Sequence, residues 1–158
     1  MAVIDRGLIL FDGHKFYSFP EIPAIEGWCL LEAKDGTIWL GTNGFGIFKI
    51  ISKESKLYCK HYSTEQGLSG NVIRDIDEDS SGKIIISTFR NGFSVFDGNN
   101  FYNYSERQGL PTNALFDLAL GSDGAYYFAT FGKGIVKVSN DSISQLTSEQ
   151  GLCSDYLL

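Results

Sequence analysis

The sequence predicts an all-β protein, a β-propeller with about three complete four-stranded blades plus partial blades at both ends. Gln-Gly-Leu recurs at 66–68, 108–110 and 150–152, always 42 residues apart. Within each period, short runs rich in Ile, Val, Phe, Tyr and Thr are bounded by Gly, Asn, Asp and Ser, which is strand and turn chemistry. No stretch keeps the apolar spacing of a helix, so little or no helix is expected. A fixed period of about 40 to 50 residues holding four short strands is the pattern of propeller blades.

In chain order, a partial copy comes first. Gly7, Phe11-Asp12-Gly13, Phe16 and Phe19 match Gly92, Phe96-Asp97-Gly98, Phe101 and Tyr104, so residues 1–19 are expected to form two outer strands of a blade. Residues 27–62 form the first complete blade, marked by Asp35-Gly36, Thr42, Gly46 and Tyr62 and lengthened by four residues around 52–56. Residues 72–104 form the next, with strands at 72–78, 83–88, 92–96 and 101–104, and residues 114–147 the third. Residues 151–158 begin a further blade. Asp35-Gly36, Ser81-Gly82 and Asp123-Gly124 suit the hairpin between first and second strands, where Gly supplies positive φ. Asp12-Gly13 and Asp97-Gly98 suit the hairpin between third and fourth strands, and Gly46, Gly92 and Gly134 bend the backbone into the third.

A 43% hydrophobic fraction can build cores between blades, and 20% charge is ordinary for a surface. The net charge of −6 and scattered basic residues argue against a nucleic-acid partner. No apolar run reaches membrane-spanning length, so no membrane contact by this segment is expected. The N-terminus has no signal-peptide pattern and enters half a blade directly, as in a piece of a longer protein.

No catalytic constellation emerges. Cys29, Cys59 and Cys153 have no C-x-x-C spacing and read as buried structural thiols. His14 in a hairpin turn and His61 near the end of a fourth strand are too few for a zinc site, and no metal or cofactor is expected. Asp75, Asp77, Glu78 and Asp79 alternate along a strand, lack calcium-loop spacing, and read as a solvated strand end.

From Gly67 to Gly92 the chain follows G-L-x-x-N, then two apolar positions, D-x-x-G, an apolar strand and T-x-x-x-G. This resembles the two-component regulator propeller repeat. Thr37-Ile38-Trp39-Leu40-Gly41-Thr42 is nearest that family's second strand, where Trp, an apolar residue, Gly and Thr are typical; Ile85-Ile86-Ser87-Thr88 and Tyr127-Phe128-Ala129-Thr130 depart from it. WD and kelch repeats fit less well. The family forms the periplasmic sensor portion of hybrid two-component receptors, many of which recognise oligosaccharides. The resemblance implies a periplasmic ligand-sensing or dimerisation module, not an enzyme, with any kinase activity in other domains. The alternatives are a protein–protein interaction scaffold and a propeller enzyme such as a lyase.

In a propeller, the loops from second to third strand share a face with those from fourth to first. Here the former carry Asn43, Phe45, Phe89, Arg90, Phe131 and Lys133, a mix of rings, amide and cations suited to stacking on sugars and bonding their hydroxyls. The alternative is that these aromatics pack between blades. Three and a fraction blades do not easily close a ring, so a homodimer is expected, its complementary partial blades completing one another.

Overall fold

The computed structural model describes residues 2–3, 7–11, 14–18, 25–53, 56–139 and 142–157. The chain forms an arc of propeller blades. First comes a sheet of β1 (Ala2–Val3), β2 (Gly7–Phe11) and β3 (Phe16–Ser18). Three four-stranded meanders follow. They are β4 (Gly27–Glu32), β5 (Ile38–Thr42), β6 (Ile47–Lys53) and β7 (Lys56–Tyr62); β8 (Ile73–Glu78), β9 (Ile84–Thr88), β10 (Gly92–Phe96) and β11 (Phe101–Tyr104); and β12 (Leu115–Leu120), β13 (Tyr126–Thr130), β14 (Ile135–Ser139) and β15 (Ser142–Leu146). All pairings are antiparallel, and the first strands β4, β8 and β12 lie side by side along the inner edge. The N-terminal sheet differs from the two outer strands expected. Ala2–Val3 pairs with Gly7 and Leu8 and adds a short strand in the second-strand position. The expected Asp12-Gly13 hairpin and Phe19 lie outside the described residues.

The repeated tripeptide builds the link from one blade to the next. Ser63, Ser105 and Thr147 cap 3₁₀ turns at Thr64–Gln66, Glu106–Gln108 and Ser148–Gln150. The Gln side chain closes each turn by accepting from the cap N–H, at 2.9 Å for Ser63, 3.0 Å for Ser105 and 2.8 Å for Thr147. Gly67, Gly109 and Gly151 end the turns at φ 102°, 98° and 102°, the left-handed region. Leu68 and Leu110 then enter the cores between blades.

A residue four beyond each Gly joins this linker to the blade before it. Asn71 Oδ1 accepts from Thr64 N–H at 2.9 Å, while its carbonyl accepts from Gly44 and Gly46 N–H at 3.0 and 2.8 Å. Asn113 repeats the pattern with Glu106 and Gly92, and Asp155 with Ser148, Gly132 and Gly134. The Thr of the second strand locks the same turn from inside. Thr42, Thr88 and Thr130 are fully buried, and each hydroxyl donates to the carbonyl of Gly46, Gly92 or Gly134 at 2.7 Å. Those three Gly have φ 77°, 74° and 64°, and a Cβ there would overlap the Tyr62, Tyr104 or Leu146 carbonyl oxygen.

Between blades the packing is apolar. Trp39, Ile47, Tyr62, Ile73, Ile76, Ile84, Ile86 and Phe96 fill the first interface. Ile85, Phe93, Val95, Leu115, Leu118, Phe128 and Val136 fill the second. Ile84 and Ile86 face one cluster and Ile85 the other, because side chains alternate along a strand. The middle blade is covered on both sides, and β9 is therefore buried throughout. Each such side chain contributes about 1.5 to 3 kcal/mol on burial.

Replacing Gly92 with Ala should cost more than about 2 kcal/mol, since it combines a left-handed φ with backbone overlap. Gly98→Ala, at φ 103° but in open space, should cost only about 1 to 2 kcal/mol. Urea denaturation midpoints compare the two, and equal losses would contradict the close backbone packing assigned to Gly92.

Candidate ligand-binding face

Each inner strand carries a bulge at the same place. Register shifts between Gly27 and Cys29, between Ile73 and Asp75, and between Leu115 and Asp117. The extra residues are Trp28, Arg74 and Phe116. A bulge re-aims the side chain it carries, and these three converge. The Arg74 guanidinium carbon lies 4.4 Å from the Trp28 ring centroid, 4.7 Å from Phe116 and 4.6 Å from Phe89 of the adjoining loop. Phe89 meets Phe116 edge to face at 5.6 Å, Phe116 lies 6.0 Å from Phe131, and Phe131 meets Tyr156 at 5.0 Å. A ribbon of rings thus crosses three blades on the loop face. Trp28 (42%), Phe131 (55%) and Tyr156 (63%) are too exposed to be serving as core.

Two cations belong to this ribbon. Among the described residues, no carboxylate pairs with Arg74, and its Nε is buried without an acceptor. Burial lowers its pKa from the ordinary arginine value, but a guanidinium stays charged at neutral pH. Arg90 is exposed, with its guanidinium 4.9 Å from the Phe89 centroid. It has φ 67°, whereas the corresponding positions in the other two loops are Gly44 and Gly132. A side chain in the left-handed region costs about 1 to 2 kcal/mol.

The structure brings Phe89, Arg90 and Phe131 together. Asn43 takes the position of Phe89 and Phe131 in its own blade, but its Nδ2 donates to Glu26 Oε2 at 2.6 Å. Phe45 is half-exposed two residues further along, with its N–H donating to Thr42 Oγ1 and its carbonyl 2.5 Å from His61 Nε2. Lys133 is exposed at the position equivalent to Phe45, its carbonyl accepting from Gln145 Nε2. Sequence reasoning missed Trp28, Arg74, Phe116 and Tyr156. The available signal was the recurrence of a large side chain seven residues after Gly67 and Gly109, at Arg74 and Phe116.

The acidic run is not a solvated strand end. Asp75 Oδ2 accepts from Leu118 N–H of the next blade at 3.1 Å, Asp79 Oδ2 from Tyr126 hydroxyl at 2.9 Å, and Glu78 Oε2 from Lys34 N–H of the previous blade at 2.6 Å. Burial, with a contribution from the facing Asp117 carboxyl, raises the Asp75 pKa to about 6. Cys29 holds the equivalent place on β4, where burial and then Asp75 push its thiol up to about 12. Cys153, expected to be buried, is exposed.

Asp75 makes stability depend on pH. Its folded pKa of about 6 lies above that of an unfolded Asp, about 3.9. The folded chain therefore keeps a proton that the unfolded chain has lost. That stabilisation is complete below the unfolded pKa and fades as pH rises through about 6. The melting-temperature contribution of Asp75 should fall between about pH 4 and 6.5 and level off above it, and Asp117→Asn should alter that slope. A flat profile in the wild-type chain would show the carboxyl is not so perturbed.

A family model described as two component regulator propeller matches residues 28–44, from β4 through β5 into the loop of Asn43. Over those residues the chain is similar to that repeat. Among solved structures, the extracellular domain of the putative hybrid two component system BT3049 from B. thetaiotaomicron matches with TM-score 0.79 and 23% identity, over 96% of this chain and 22% of that one. PorZ of the Porphyromonas gingivalis type-IX secretion system matches with TM-score 0.70 and 14% identity, over 98% of this chain and 26% of that one. Virginiamycin B lyase from Staphylococcus aureus matches with TM-score 0.63 and 19% identity, over 84% of this chain and 44% of that one. The chain thus spans about a fifth to less than half of these neighbours' lengths, and identities this low establish the shared propeller fold alone. No curated protein matches the sequence. No described helix is long and apolar enough to cross a membrane.

Proposed function

We propose that the chain is a ligand-sensing propeller module of a two-component signalling receptor, acting outside the cytoplasm, with an oligosaccharide as its ligand. The observation that carries this reading is the exposed ribbon of Trp28, Phe131 and Tyr156 around Arg74 and Arg90. Flat rings pack on the apolar faces of sugars while guanidinium N–H groups bond their oxygens. The match at 28–44 and the fold shared with the extracellular domain of a putative hybrid two component system support the signalling context. The module itself is not an enzyme, and any kinase activity lies in other domains. Thermal melts against an oligosaccharide panel test the sensing reading. A ligand at 100 times its Kd should add about 2.7 kcal/mol of stability. Trp28→Ala should abolish the shift while barely changing the unliganded melt; a panel without any shift defeats the proposal.

A scaffold or self-associating role is the second reading. Tyr127, Ala129, Ile135 and Leu157 line a depression on the outward side of the third blade, where the earlier blades carry interface residues. Light scattering should give twice 17.5 kDa if copies complete one another, and 17.5 kDa would refute it.

A further inference from the structure

Arg74 and Arg90 hold their guanidinium carbons 4.6 and 4.9 Å from the centroid of one ring, Phe89. Two like charges thus border the same ring, and among the described residues no carboxylate pairs with either. Two acids of this region are hydrogen-bonded elsewhere. Asp75 accepts from the N–H groups of Ile76 and Leu118, and Glu26 from Asn43 Nδ2. The chain has a net charge of −6, yet among the described residues no carboxylate is paired with these two arginines. Trp28, Phe89 and Phe116 surround the Arg74 guanidinium, and its Nε has no acceptor. Arg90, meanwhile, occupies a left-handed backbone position filled by glycine in the other two blades. A guanidinium stacked on rings, its Nε–H without an acceptor among the described residues, suits the planar, two-oxygen face of an oxyanion.

Resting on the sensing reading above, we propose that this face selects acidic oligosaccharides. Arg74 holds a carboxylate or sulfate substituent of the sugar through paired N–H donors, Arg90 supplies the second positive charge, and the sugar ring lies along the exposed ring of Phe131. A uronic acid and a sulfated sugar share this chemistry.

Trp28 lies against Arg74, so its fluorescence can follow binding directly. Titrations at constant ionic strength would use trigalacturonate, the same trisaccharide with its carboxyls reduced to alcohols, and a sulfated galactose trisaccharide. At least one acidic probe should bind about tenfold or more tightly than the neutral one. Arg74→Gln should erase that preference, Arg90→Gly should weaken it, and added salt should lower only the acidic affinity. Binding of the neutral sugar as tightly as the acids would overturn the proposal while leaving the sensing reading intact. No response to any of the three would overturn the acidic selection, while the sensing reading would fall only with the full oligosaccharide panel. The acid that binds identifies the substituent, and should Arg74→Gln fail to fold, the comparison of acidic and neutral sugars on the wild-type chain still decides.

Discussion

The arc of blades depends on one backbone carbonyl per linker. The carbonyls of Asn71, Asn113 and Asp155 receive N–H groups from the turn of the preceding blade, while the side chains of the same residues fold the linker onto itself. A two-stranded edge contact between separate sheets is otherwise weak, since each blade already satisfies its own ladder. Apolar packing supplies most of the energy between blades, but packing is indifferent to small rotations. These directional bonds set the angle at which one blade meets the next. Thr42, Thr88 and Thr130 complete the arrangement by holding the receiving turn in a single conformation.

That rigidity creates the candidate site. The bulge in each inner strand lies just after the linker, so the same geometry that joins blades also turns Trp28, Arg74 and Phe116 toward one another. The loops bearing Phe89 and Phe131 are pinned by bridges to the next linker, Phe89 to Ala114 and Phe131 to Tyr156. A ligand face built this way has little freedom to rearrange, which favours pre-formed recognition over ordering on binding. Its chemistry varies from blade to blade while its backbone repeats.

Beneath the ribbon, the next residue of each inner strand is Cys29, Asp75 or Asp117. Two carboxyls from neighbouring blades meet there because the first strands run side by side. Alternation along a single strand separates Asp75 from Arg74 and cannot reveal a partner 42 positions later. The same limit explains Asp79 and Glu78, which looked like solvent-facing charges in a run and instead join adjacent blades.

The sequence by itself determined the architecture, because a blade is specified locally. Gln66, Gly67 and their copies cap and end a turn within four residues, the Asp/Ser-Gly pairs make hairpins, and Thr with the following Gly shapes one loop. Such short-range signals survive in a linear reading and are amplified by repetition. It also located the loop face holding Phe89, Arg90 and Phe131. Tertiary structure alone decided which residues converge there. Asn43 shares the loop face but its side chain is held by Glu26, while Phe45 and Lys133 are bonded through their backbones to Thr42, His61 and Gln145 and their exposed side chains lie two positions beyond the ring-bearing one. Arg74 reads in sequence as an ordinary charged residue beside acids. Only a bulge, and rings supplied by two neighbouring blades, turn it into the centre of the face, since those contacts depend on register and blade angle.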